Sequence, residues 1–105
     1  MKYYVIKDNK NTVAVVAHEY YSGSVYCRSK KKSFNQAFNA VCNKHYCAPS
    51  KDNNVYRVDS ISSTTYSWMD KVLKDLCVDK WHIDNTGDVL NVESEIDHLV
   101  SKFLS

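Results

Sequence analysis

The sequence KYYVIKDNKNTVAVVAHEY, residues 2–20, carries the strongest structural pattern of the chain. Residues 2–8 and 12–20 are rich in β-branched and aromatic residues, which favour strands, and Asn9-Lys10-Asn11 between them favours a turn. We therefore predict a β-hairpin. In residues 12–20 both alternating sets of side chains are apolar. This strand is expected to lie inside a sheet, with both of its faces covered.

The rest of the chain predicts more strands and three helices. Strands are expected at residues 24–28 and 55–61, and a second hairpin is expected where residues 81–83 and 89–92 flank the turn 84–88. The helices are predicted from an N-cap at Ser33 to about Tyr46, from Thr64 or Thr65, and after a capping box at Ser94 to Asp97. Their apolar stripes at helical spacing are Phe34, Ala37, Phe38 and Val41, then Trp68, Met69, Val72, Leu73 and Leu76, then Ile96, Leu99, Val100, Phe103 and Leu104.

These elements predict a single α+β domain over residues 1–105, in the order βββα-βα-ββα. We expect a mostly antiparallel sheet of four to six strands with about three helices packed on one face. The sequence shows no signal peptide and no apolar run of the ~20 residues that cross a bilayer. A cytoplasmic protein that contacts no membrane is therefore expected, with its four cysteines reduced.

Charge is divided unevenly along the chain. Residues 1–57 carry ten basic and three acidic residues, a net charge of +7, whereas residues 58–105 carry four basic and nine acidic residues, a net charge of −5. Two opposed surfaces would steer a charged partner, but the halves could equally interleave in the fold.

The basic turn Arg28-Ser29-Lys30-Lys31-Lys32-Ser33 is the best local candidate for a binding site. Its cations precede a predicted helix start, where an anion such as a phosphate would be favoured. The alternative is a solvated loop, because a lysine run without glycine is not a phosphate-loop motif.

Aromatic and acidic residues offer two further candidate surfaces. Three of the eight tyrosines, Tyr20, Tyr21 and Tyr26, lie near the basic turn, where they could stack on bases or enter a protein interface, including one between copies of the chain. Most tyrosines would simply border the core. The acidic candidates, which could imitate DNA phosphates or only face solvent, are Asp84, Asp88, Glu93, Glu95 and Asp97.

Cysteine and histidine offer only weak evidence for chemistry. Cys42, His45 and Cys47 fall within six residues, but the spacing is unlike that of paired zinc ligands, and Cys42 adjoins a predicted buried face. We expect no metal and no cofactor. Cys47 assisted by His45 could act as a nucleophile, yet no catalytic signature accompanies this pair.

Three classes of function follow in order of preference. The first is a non-enzymatic protein that binds and inhibits or redirects a host protein. The second is a nucleic-acid or nucleotide-binding module that uses the basic turn, and the third is a small Cys/His enzyme. Twelve lysines against two arginines suggest an AT-rich genome, typical of accessory proteins of bacteriophages and mobile elements. A target in host defence or nucleic-acid metabolism is inferred from that origin alone.

Overall fold

The computed structural model describes residues 1–45, 47–49, 55–58 and 65–105. In chain order its elements are β1 Lys2–Asp8, β2 Asn11–His18, β3 Ser24–Ser29, α1 Lys32–Lys44, β4 Cys47–Pro49, β5 Val55–Val58, α2 Tyr66–Leu76, β6 His82–Asp88 and α3 Val92–Leu104. The six strands form one antiparallel sheet in the order β4-β5-β3-β2-β1-β6. The predicted α+β class is confirmed.

The predicted β1–β2 hairpin is confirmed. The strands pair from Lys2 opposite His18 to Asp8 opposite Asn11. Asn9 has a φ of 56°, a left-handed conformation that asparagine tolerates better than most residues. The turn therefore closes where the sequence placed its asparagines.

Strand β2 lies inside the sheet and is covered on both faces, as its uninterrupted apolar sequence predicted. Ala14 and Val16 belong to a core cluster with α1 and α2, whereas Val15 and Ala17 belong to a second cluster with α3. The expectation that all helices pack on one face is therefore wrong. The Val15 and Ala17 face needed its own cover, which the α3 stripe supplies.

All three predicted helical stripes face the interior. Phe34 and Phe38 of α1 are fully buried and stacked with their ring centroids 5.7 Å apart. Burial of a side chain of this size contributes about 1.5–3 kcal/mol. The buried members of the other stripes are Trp68, Met69, Val72, Leu73 and Leu76 in α2 and Ile96, Leu99 and Leu104 in α3.

The helix starts match the predictions unevenly. Thr65 caps α2, because its side chain accepts a hydrogen bond from the Trp68 amide at 3.3 Å. The predicted Ser33 cap is wrong, since α1 begins at Lys32 and Lys31 occupies the N-cap position without a side-chain bond. The turn is fixed instead by Ser29, whose hydroxyl accepts from the Lys31 amide at 3.0 Å.

The largest departure lies in residues 81–92. The predicted hairpin is wrong: residues 84–88 are no turn but part of the single strand β6, which pairs antiparallel with β1. The predicted capping box is also wrong, because α3 already begins at Val92. The element order becomes βββα-ββα-βα, because β4 was not predicted and the single strand β6 replaces the two strands of the predicted hairpin. The predicted strand 55–61 is observed as Val55–Val58, and its remainder lies outside the described residues.

Candidate functional site

Three tyrosines meet on the surface at one end of the sheet. Tyr20 and Tyr21 lie in the β2–β3 connection, and Tyr66 is the first residue of α2. The Tyr20 ring makes edge contacts with both others, at centroid distances of 5.2 Å to Tyr21 and 5.6 Å to Tyr66. We call these three residues the tyrosine cluster. Tyr21 is 91% exposed and Tyr20 is 40% exposed, so their rings are presented to solvent.

The connection that carries Tyr20 and Tyr21 is held by hydrogen bonds at its base. The Glu19 amide donates to the Ser24 carbonyl at 2.9 Å, and the Gly23 amide donates to the Glu19 carbonyl at 3.0 Å. Gly23 has a φ of 68°, which glycine adopts without steric cost. The Ser22 hydroxyl also donates to the Glu19 carboxylate at 2.9 Å. The two tyrosines thus stand on a braced turn.

A buried histidine lies beneath the tyrosine cluster. His18, the last residue of β2, is fully buried and makes edge contacts with the rings of Tyr66 at 5.7 Å and Trp68 at 5.5 Å. Neither of its ring nitrogens has a hydrogen-bond partner among the described residues. Burial lowers the pKa of His18 to about 4, against an opposing influence of Asp70. The imidazole is therefore neutral near pH 7 and serves as an aromatic support.

Charged side chains surround the tyrosine cluster. Burial raises the pKa of Tyr66 most, and Asp88, Tyr21, Glu19 and Tyr20 raise it further, in decreasing order. The Lys2 ammonium lies 5.9 Å from the centroid of the Tyr66 ring and 3.9 Å from the Asp70 carboxylate. The edge of the tyrosine cluster therefore combines carboxylates with the Tyr66 ring, which already lies near one ammonium group.

The third tyrosine of the predicted aromatic group, Tyr26, lies elsewhere. It pairs with Ala17 across the β2–β3 ladder and packs against the cluster that contains α3. The structure brings together only Tyr20 and Tyr21 of that group. Tyr66 escaped the sequence argument because it follows a helix cap, and only the tertiary fold places it beside residue 20.

The basic turn forms the end of β3 and the start of α1. The Lys31 ammonium pairs with the Asp8 carboxylate at 3.1 Å, and an Arg28 nitrogen donates to the Cys27 carbonyl at 3.2 Å. Lys30, Lys32 and Ser33 are exposed. One cation of the turn is therefore partly neutralised, and Arg28 and Lys30 border a cleft against α3.

The predicted acidic residues do not gather on one element. Asp84 lies in β6 and pairs with Lys7 at 3.3 Å, whereas Asp88 ends the same strand beside the tyrosine cluster. Glu95 and the exposed Asp97 belong to α3. Glu93 also lies within α3. Of these acidic residues, Asp88 lies beside the tyrosine cluster.

The two oppositely charged halves of the sequence interleave in the fold. Among the described residues, three lysine–aspartate pairs join them: Lys2 with Asp70, Lys7 with Asp84, and Lys44 with Asp75. The +7 and −5 segments therefore do not form two separate surfaces, because β6 and α2 pack against the basic half. A partner would therefore be recognised by local groups of side chains and not by two oppositely charged halves of the protein.

The cysteine and histidine candidates are only partly described. Cys42 is fully buried in the core, and the His45 Nε2 atom lies 2.6 Å from the Asp75 carboxylate. That hydrogen bond, helped by Lys44, lowers the pKa of Asp75. The side chain of Cys47 lies outside the described part of the chain, so the zinc and nucleophile hypotheses stay untested. Among the described residues no three His, Cys, Asp or Glu side chains are grouped to hold a metal ion.

No known protein family, curated protein or solved structure matches this chain. Within the described ranges, no helix is both long enough and apolar enough to pass through a bilayer.

Proposed function

We propose that this protein is a non-enzymatic binding domain whose tyrosine cluster contacts another protein. The main evidence is that the Tyr20 ring contacts the rings of both Tyr21 and Tyr66, and that Tyr21 is 91% exposed. Tyrosine buries a large ring while keeping a polar tip, and it is enriched among the residues that dominate binding energy in protein interfaces.

The support beneath the cluster favours binding by a preformed surface. Tyr66 rests on the buried His18 ring, and the connection bearing Tyr20 and Tyr21 is closed by backbone hydrogen bonds. Tyrosine has few rotatable bonds, so a ring that is already positioned loses little conformational entropy when a partner docks.

The charges around the cluster favour a partner that presents arginine or lysine. Glu19 and Asp88 both place negative charge near the Tyr66 hydroxyl. A guanidinium stacked on an aromatic ring and paired with a carboxylate combines two favourable contacts. The Lys2 ammonium at the Tyr66 ring is an intramolecular example of the first contact.

The proposed target is a protein of the host cell, which the chain would inhibit or redirect. This part of the proposal is supported by the lysine-rich, arginine-poor composition typical of phage and mobile-element accessory proteins. A role against host defence would be one instance of such binding.

The test is affinity purification of the tagged protein from its host, followed by titration of the recovered partner. Replacing Tyr20 and Tyr21 together by alanine should weaken binding by about 30-fold or more, because loss of an interface hot spot costs about 2 kcal/mol or more. The matched control is Val78→Ala, which removes another exposed apolar side chain, 69% accessible, beyond the far end of α2.

The control variant should bind like the unchanged protein. Tyr66 is the first residue of α2 and the control lies beyond its last residue, Leu76, a distance of about 15 Å along the helix axis. A partner that binds the double tyrosine variant as tightly as the unchanged protein would show that the tyrosine cluster is not the contact surface.

A further inference from the structure

Two adjoining clefts lie where the basic turn meets the end of α3. The first has a volume of about 410 Å³, and its lining includes Lys10, Lys30 and Phe103. The second has a volume of about 340 Å³, and its lining includes Arg28, Lys30 and Leu104. Both volumes lie within the ~300–1,000 Å³ of small-molecule sites. Lys30 and Ser105 line both clefts, so the two are neighbours, and we call them together the groove.

The charged side chains that line the groove are all cationic. Lys10, Lys30 and Lys31 line the first cleft, and Arg28 lines the second with Lys30. Lys31 is partly neutralised by Asp8. No ion pair is recorded for Lys10 or Lys30 with any residue that the structure describes. Such a groove favours an anion with more than one negative charge.

The groove also has an apolar wall and several neutral hydrogen-bonding groups. Val100 and Leu104 line the second cleft, and the half-buried Phe103 lines the first. Hydroxyl groups come from Thr12, Ser29 and Ser101. A simple inorganic anion would use the cations and leave the apolar wall unused. An anion that carries a flat, partly apolar ring would use both.

We propose that this groove binds a nucleotide, with the phosphates held by Lys10, Lys30 and Arg28 and the base packed along the wall that includes Phe103. Multiply charged phosphate matches the several cations, and the base has a face that an aromatic ring can stack on. The site lies across the sheet from α2 and is independent of the tyrosine cluster.

The test is calorimetric titration of the full chain with ATP, inorganic tripolyphosphate, adenosine and a single-stranded oligothymidylate. ATP should bind more tightly than tripolyphosphate or adenosine, because only ATP engages both the cations and the wall. Lys30→Gln and Lys10→Gln should each lower ATP affinity about tenfold, the low end of the range for hydrogen bonds to charged groups. Lys74→Gln on α2, equal in charge change and exposed, should leave it within about twofold.

Phe103→Leu distinguishes a nucleotide from phosphate alone. It keeps an apolar side chain against the core, so the fold should persist, and it should lower ATP affinity about fivefold while leaving tripolyphosphate binding unchanged. Equal affinity for ATP and tripolyphosphate would overturn the nucleotide assignment. Tighter binding of the oligothymidylate than of ATP would overturn it in favour of nucleic acid. ATP binding unchanged in Lys30→Gln, or no ATP binding by the unchanged protein, would overturn the site.

Discussion

The buried His18 should make the fold measurably less stable in mild acid. Its folded pKa of about 4 lies below the ordinary value of 6.5, so the unfolded chain takes up a proton at a pH where the folded chain does not. The stabilisation is therefore present well above pH 6.5, decreases as the pH falls towards 4, and levels off below that value.

The size of this effect follows from the two pKa values. Each unit of difference corresponds to about 1.4 kcal/mol. Integration over the proton uptake of both states gives a loss of about 2 kcal/mol between pH 7.5 and pH 5, and of about 3 kcal/mol by pH 4. For a domain of ordinary stability this is a large fraction of the total.

The assay is urea denaturation at pH 7.5 and pH 5, applied to the unchanged protein and to His18→Leu. The leucine variant should lose about 2 kcal/mol less of its free energy of unfolding on acidification than the unchanged protein. At pH 7.5 it should be at least as stable, because it removes two buried nitrogens without hydrogen-bond partners among the described residues.

The matched control is His82→Gln, which removes an exposed histidine in β6. It should keep the pH dependence of the unchanged protein. Equal pH dependence in His18→Leu and the unchanged protein would refute the argument that burial keeps the imidazole of His18 neutral.

Three further predictions concern the fold. Thr65→Ala should lower the free energy of unfolding by about 1 kcal/mol through loss of the Trp68 amide bond, whereas Thr65→Ser should keep most of it. Gly87→Ala should cost about 1–3 kcal/mol in urea denaturation, because its new Cβ would lie 2.6 Å from the Tyr3 ring; the cost should fall in a Tyr3→Ala background. Cys27, whose burial raises its pKa to about 12, should react with iodoacetamide only after unfolding.

Each of these has a clear opposing result. Equal stability of Thr65→Ala and the unchanged protein would remove the cap from the account of α2. A full Gly87→Ala penalty without the Tyr3 ring would show that the contact is not its cause. Rapid native labelling of Cys27, located by peptide mapping, would contradict its burial in the sheet.

The sequence predicted those parts of the fold that depend on local pattern and burial. The β1–β2 hairpin, the two-sided burial of β2 and the three helical stripes all follow from apolar spacing, which tertiary packing then satisfied. The expected packing of all helices on one face was wrong, because the sequence pattern does not state which helix covers which face of the sheet.

Strand β6 shows where local pattern fails. Its sequence, HIDNTGD, is polar and contains turn-forming residues, so it indicated a hairpin bend. Pairing with the free edge of β1 overrides that preference, because the ladder satisfies backbone groups along the strand. Ser33 is not the cap because α1 already begins at Lys32, so Ser33 lies within the first turn.

The candidate sites were predicted by residue type more than by position. Tyr20 and Tyr21 were singled out from their number and spacing, but their contact with Tyr66 depends on the placement of α2 beside the end of β2. The basic turn was expected at a helix start, whereas the groove arises because α3 packs on the opposite face. The position of α2 beside Tyr20 and the position of α3 beside the basic turn cannot be found from local sequence.

The most direct test of the proposed function is photo-cross-linking from within the tyrosine cluster. A photoreactive phenylalanine analogue at position 21, irradiated in the host cell, should form one adduct with a distinct host protein, and the same analogue at position 78 should not. An equal adduct from position 78, an adduct only with a second copy of the chain, or no adduct from position 21 would contradict the proposal that these exposed tyrosines contact a host protein.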